Sequence, residues 1–232
     1  MFWLVGIIAF LEKNYKGVHT RFSYSTSDYP FKKVVENYLD HTKLSLIHQD
    51  HTFKETLVHG TDQAQPLHRT FYDAMDADAN QTFTNFYRRF IEEVIAPRYN
   101  YPIIFQRFPT FRIHQPSNIA VFGWHRDRDY NHHPQEINYF LPITSAFGTN
   151  TLWHESEPDK GDYRPMEAEY GEAIEWDGPN CRHGNKPNTT GQTRISFDFR
   201  VLSREVYDDS TPKESITQGT KFEIGAYYDV IK

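Results

Sequence analysis

Near residue 100 the hydrophobic period of this chain changes from that of a helix to that of a strand, and few architectures satisfy both halves. Before the change, residues 80–96 carry Phe83, Phe86, Tyr87, Phe90, Ile91, Val94 and Ile95 at the i, i+3, i+4, i+7 spacing that gathers apolar groups on one helix face. Asp78 or Asn80 is placed to cap that helix, and Pro97 stops it. Pro30 opens a shorter helix with Phe31, Val34, Val35 and Tyr38 on one side. After residue 100 the period falls to two, and strands are expected at 103–108, 111–114, 119–127, 136–141, 150–154, 172–176 and 194–202. Turns fall at Gln115-Pro116-Ser117-Asn118, Asp177-Gly178-Pro179-Asn180 and Asn188-Thr189-Thr190-Gly191. Seven short strands after a helical stretch predict an α+β fold: a sandwich or jelly roll with the N-terminal helices packed outside it.

A length of 232 residues fits one domain. We expect a mainly helical part over 1–100, a β core over 101–203, and a polar tail over 204–232 that ends in an aromatic stretch and docks on the rest. Lys and Arg total 25 against 31 Asp and Glu, so no basic field exists to gather phosphates, and nucleic acid is not an expected partner. The run Met1 to Leu11 is apolar but too short to span a bilayer. No Lys or Arg precedes it and no small-x-small site follows, so a buried first element is expected rather than a signal peptide or a membrane partner. The single cysteine, Cys181, excludes an internal disulfide and fits a reducing, cytoplasmic setting; it reads as a small buried residue rather than a nucleophile.

The chemistry concentrates around one His-x-Asp pair. Chance supplies about one such match in a chain of this composition, and there are two: His48-Gln49-Asp50, read as loop decoration, and His125-Arg126-Asp127. In an extended stretch His125 and Asp127 project from one face, giving two ligands of a metal site. Asp129 is an alternative carboxylate, whereas His132 and His133 read as solvated loop histidines. A third ligand must come from elsewhere, and His183 after the Asp177-Gly178 turn is the candidate. Two histidines and one carboxylate make the facial triad of non-haem Fe(II) oxygenases, while zinc takes the same ligands in a four-coordinate site. The segment from Arg194 to Val201 then separates into an apolar face (Ile195, Phe197, Phe199, Val201) and a polar one (Arg194, Ser196, Asp198, Arg200). A polar face on so apolar a strand lines something charged, and Arg194 with Ser196 offers donors suited to a carboxylate. Arg112, Asn138, Trp153 and Glu155 are the substrate-lining candidates by strand parity.

These residues resemble the 2-oxoglutarate/Fe(II)-dependent dioxygenases, in which a double-stranded β-helix carries His-x-Asp, a distal His and, about ten residues on, Arg-x-Ser. More narrowly, the stretch 111–201 is similar to the StrG-type branch linked to streptomycin biosynthesis. The likeness rests on Pro109-Thr110-Phe111-Arg112, on the segment from His125 to Tyr130, on Glu136 to Thr144 (EINYFLPIT), on Gly148 to Trp153, on Arg182-His183-Gly184-Asn185 and on Arg194 to Arg200 (RISFDFR). The resemblance implies that His125, Asp127 and His183 bind Fe(II) and that Arg194 with Ser196 holds the distal carboxylate of 2-oxoglutarate. It also implies that O2 converts this co-substrate to succinate and CO2 as a C–H bond of a small polar metabolite is oxidised. Related halogenases lack the carboxylate that Asp127 supplies, so hydroxylation, desaturation or ring closure is the expected outcome. Two other readings stand beside this one: a non-catalytic jelly-roll module binding a metabolite or carbohydrate, and a zinc or manganese cupin acting as hydrolase or isomerase. The Tyr- and Phe-rich strands also suit a homodimer interface.

Overall fold

The computed structural model describes residues 20–50, 52, 65–120, 123–208, 210, 214–215 and 219–231; the apolar run 1–11 lies outside them. Strand β1 (Thr20–Ser23) is followed by helices α1 (Phe31–Tyr38), α2 (Pro66–Ala77) and α3 (Thr82–Phe90). The periodic stretch 80–96 is thus α-helical only to Phe90 and continues as a π-helical turn, Ile91–Ile95, and a 3-10 turn, Ala96–Arg98. Pro97 donates no N–H and crowds the carbonyl four residues back, which accounts for the widened turn before it. Asp78 does cap α3, its carboxylate accepting from Thr82 N (2.8 Å) and Tyr38 Oη (2.7 Å).

Nine strands follow: β2 (Ile103–Gln106), β3 (Thr110–His114), β4 (Ile137–Pro142), β5 (Leu152–His154), β6 (Arg164–Pro165), β7 (Glu172–Trp176), β8 (His183–Asn185), β9 (Arg194–Ser203) and β10 (Tyr228–Val230). The larger sheet runs β1-β7-β4-β9-β2-β10, with antiparallel pairings throughout. Its axis is β9, which pairs with β4 along one side and with β3 and then β2 along the other. The smaller sheet is β6-β5-β8.

Strand parity sorts the larger sheet into two faces. Ile195, Phe197, Phe199 and Val201 of β9, with Phe111, Ile113, Tyr139 and Leu141 of its neighbours, join Phe31, Phe71, Phe83 and Phe90 of the helices in one buried cluster. Phe71 stacks on Phe111 with ring centroids 3.9 Å apart, and Phe83 meets Phe197 at 4.7 Å. Such pairs add about 0.5–1.5 kcal/mol beyond the area they bury. The opposite face carries Arg112, Asn138, Phe140, Arg194, Ser196, Asp198 and Arg200, which line a cavity shared with Leu152, His183 and Asn185 of the smaller sheet. Among the described residues no helix is long and apolar enough to cross a membrane.

One expectation is corrected. No strand occupies the described part of 119–127: Gly123 takes φ +89°, outside extended geometry, His125 makes one isolated bridge to His183, and Asp127 opens a 3-10 turn, Asp127–Tyr130. The tail docks through a specific strand, since β10 pairs with β2 while Arg88 of α3 holds Asp229 (2.5 Å) and the Val230 carbonyl (2.9 Å).

Candidate metal centre

The loop after Gly123 and strand β8 bring His125, Asp127 and His183 together. One ligand atom from each lies within 4.8 Å of the other two. Asp127 Oδ1 is 3.5 Å from His125 Nε2 and 3.3 Å from His183 Nε2, and the two imidazoles are 4.5 Å apart. His125 Nδ1 faces the Gly123 carbonyl at 3.1 Å and His183 Nδ1 the Cys181 carbonyl at 3.0 Å. A carbonyl only accepts, so each Nδ1 carries a hydrogen and each ring turns Nε2 inward, the atom left to bind a metal. Two imidazole lone pairs and a carboxylate oxygen crowded together repel one another unless a cation lies between them, so the donor set fits a divalent metal.

The far oxygen of Asp127 is fully engaged. Oδ2 accepts from Arg200 Nε (2.9 Å), Arg200 Nη2 (2.7 Å) and Asn138 Nδ2 (2.7 Å), which leaves Oδ1 alone facing the histidines. Burial would raise the Asp127 carboxyl, but the Arg200 guanidinium beside it holds it well below the usual carboxylate range, so it is ionised. Arg200 in turn is buried against its charge, and Asp127 keeps it protonated.

The same cavity is lined by Arg194, 2% exposed, donating from Nε to the Asn150 carbonyl (3.1 Å) and from Nη1 to Ser196 Oγ (2.7 Å). Arg112 and Asp198 form an ion pair on the wall (3.1 Å). Asn138 also lines the cavity, committed through Nδ2 to Asp127. Trp153 and Glu155 are not among the lining residues. The Trp153 indole donates to the Gly148 carbonyl, and the Glu155 carboxylate accepts the amides of Gly161 and Arg182. The strand parity assumed for them is inverted, because Leu152 is the β5 residue that faces the cavity.

Asp129 does not join the ligands; its carboxylate accepts from Arg126 N and caps the 3-10 turn. His48 bonds Thr193 Oγ1 and Asp50 accepts from Thr52 N, both away from the cluster. His132 is not a solvated residue: it packs 4.5 Å from Phe222 and bonds the buried Glu136 carboxylate at 2.9 Å. His133 accepts from Gln135 N. Burial and nearby carboxylates push the Cys181 thiol up to about 12, which suits an inert packing residue. The residue that sequence reading left without a task is Arg200. Its place on the polar face of β9, in phase with Arg194 and Ser196, was the available signal.

No family model matches the sequence. Among solved structures, the chain is similar to the non-haem monooxygenase ThoJ as its nickel complex (TM-score 0.49, 13% identity, over 91% of this chain and 83% of that one). It is also similar to CytC3 with Fe(II) and alpha-ketoglutarate (TM-score 0.49, 13% identity, 82% and 74%). A third is EctD from S. alaskensis with 2-oxoglutarate and 5-hydroxyectoine (TM-score 0.47, 14% identity, 90% and 77%). The sequence itself is 39% identical over 214 residues to the streptomycin biosynthesis protein StrG of Streptomyces griseus, covering 92% of this chain and 98% of that protein. A likeness of that strength running through the helical part as well as the β core is one of whole chains, and this chain belongs to the StrG family.

Proposed function

We propose that this protein is a non-haem Fe(II)- and 2-oxoglutarate-dependent oxygenase that oxidises an unactivated C–H bond of a small polar metabolite. The observation that carries this reading is the convergence of His125 Nε2, Asp127 Oδ1 and His183 Nε2 within 4.8 Å on the wall of the cavity that also holds Arg194 and Ser196. We read the two sheets around that cavity as the halves of a double-stranded β-helix, a cupin-like jelly roll. The chain is then one oxygenase unit over 1–232, with the helices of 1–100 outside a core at 101–203 and a tail at 204–232. Fe(II), 2-oxoglutarate and O2 together supply the oxidising power that cleaves the C–H bond, leaving succinate and CO2.

The chain's own residues have separable tasks. His125, Asp127 and His183 would hold the metal, and Arg200 and Asn138 restrict Asp127 to one coordinating oxygen. Arg194 offers a buried guanidinium, and Ser196 a hydroxyl, to the distal carboxylate of the co-substrate. Charge-assisted hydrogen bonds in such dry surroundings are strong and orienting. Phe140, Leu152 and Trp176 keep water from the same space. The Arg112–Asp198 pair meets polar groups of the substrate. With Asp127 occupying the carboxylate position, the outcome is hydroxylation, desaturation or ring closure. The role of the StrG relative in streptomycin biosynthesis supports a natural-product intermediate as substrate.

The test is an anaerobic titration of metal-free protein with Fe(II) and 2-oxoglutarate, following the visible charge-transfer band of a ferrous 2-oxo-acid chelate. The band is expected in the wild type, absent in His183→Ala, and shifted at least tenfold toward higher 2-oxoglutarate in Arg194→Ala. Tight zinc binding with no band, or no metal binding at all, overturns the oxygenase reading.

A further inference from the structure

Behind the candidate ligands, charge continues inward. Arg200 meets Asp127 through Nε and Nη2, while its remaining terminal nitrogen, Nη1, donates to Gln106 Oε1 (3.3 Å) and Tyr227 Oη (3.2 Å). Tyr227 Oη in turn donates to Gln106 Oε1 (3.0 Å). On the other side the fully buried Glu136 sits 3.7 Å from Arg200 Nε and accepts from the hydroxyl of Tyr228, with His132 Nδ1 at 2.9 Å. Tyr227 and Tyr228 lie about a hundred residues from Asp127 in sequence, yet Tyr227 Oη accepts from Arg200 and Tyr228 Oη donates to Glu136, the carboxylate beside Arg200 Nε. A buried guanidinium held on both sides has one orientation, and a metal-ligating carboxylate fixed by such a partner inherits it.

We infer that the C-terminal segment 222–230 is a positioning element of the metal centre: Tyr227 and Tyr228 fix Arg200 and Glu136, and Arg200 aims Asp127. The inference rests on the metal reading proposed above. Segment 222–230 supplies no candidate ligand and no lining residue of the cavity and reaches the site through Arg200 and Glu136, so its effect is on how well the site is preformed. Loss of the tyrosine hydroxyls lets Arg200 swing and Asp127 rotate, and metal binding then has to reorder both.

Co(II) binding to the full chain, followed by its visible d–d absorption and by calorimetry, tests this without turnover. Tyr227→Phe with Tyr228→Phe keeps both rings and removes both hydroxyls. Its expected effect is an approximately tenfold weaker Co(II) affinity and an altered d–d spectrum. Tyr207→Phe is the comparison, because Tyr207 Oη donates to the Phe222 carbonyl and so ties down the same segment without touching Arg200 or Glu136. It is expected to lower Tm while leaving Co(II) affinity within about twofold. Should the double variant not fold, Tyr227→Phe alone carries the test, with a loss of about threefold expected. Unchanged affinity and spectrum in the folded tyrosine variants, or an equal loss in Tyr207→Phe, overturns the inference and leaves the oxygenase reading intact. A wild type that binds neither Co(II) nor Fe(II) overturns both.

Discussion

Asp127 shows how much a single side chain is asked to do here. One oxygen meets two histidine lone pairs, and the other is surrounded by three N–H donors, so the carboxylate is charged, immobile and directional at once. His114 is the opposite case, a histidine kept neutral. Burial, and then the nearby Arg194 charge, lowers its pKa from 6.5 to about 4. A neutral ring has one N–H for the two carbonyls it faces, and because Asn150 O already accepts from Arg194 Nε, that hydrogen belongs on Nε2, donating to Asn118 O. The linkage has a definite sign. Between about pH 6.5 and 4 the unfolded chain takes up a proton that the folded chain refuses, so stability falls as the pH falls through that window. The full difference is about 3 kcal/mol. Urea unfolding of wild type and His114→Gln at several pH values between 4 and 8 should show the variant with a flatter acid limb. Parallel limbs would mean that His114 is not the group being titrated.

At the scale of elements, β8 is the piece that completes the site, and it is three residues long. His183 faces the candidate centre, while Gly184 lies flat against Trp124: a Cβ there would stand 2.8 Å from Trp124 Cδ2. Because Trp124 directly precedes His125, Gly184→Ala should displace the loop that carries one ligand and leave the helix-covered face of the larger sheet untouched. We expect metal affinity lowered by tenfold or more with Tm changed by only a few degrees; unchanged affinity would show that the loop adapts. Elements with a long apolar alternation were legible in the sequence, among them β7, read to the residue, and β9. Strand β8 was not, because His-Gly-Asn has neither hydrophobic alternation nor β propensity and is extended only by its pairing with β5 and His125. The stretch 119–127 failed the other way. Its alternation promised a strand, and Gly123 with the Asp129 cap made a turn instead. His125 and Asp127 meet at the site all the same, on a local geometry other than the strand expected. Trp153 and Glu155 show the limit of parity arguments, since a three-residue strand leaves the facing residue undetermined by one position.

For the whole molecule, the division is between a face that holds the protein together and a face that holds chemistry. A ligand that binds only the folded state stabilises it, by about 2.7 kcal/mol at a hundredfold excess over its Kd. For a chain of this size that is a rise in Tm of roughly 5–10 °C. Thermal melts with Fe(II) under anaerobic conditions should show such a rise in the wild type and none in His183→Ala. An equal rise in both would place metal binding elsewhere. The larger partition was readable in advance because burial imposes a period on sequence. The network behind Asp127 was not, because the path from Arg200 to Tyr227 and Tyr228 joins positions that no local pattern links. Strand β9 belongs to both faces, with Ile195, Phe197 and Phe199 under the helices and Arg194, Ser196, Asp198 and Arg200 in the cavity. Such a strand has no neutral place for a gained or lost residue: a deletion within it would thrust phenylalanines into the cavity and leave charges stranded beneath the helices. Within this strand, evolution or a mutagenic library can alter what the cavity admits only by exchanging residues at the even-numbered positions, and must confine every change of length to the turns.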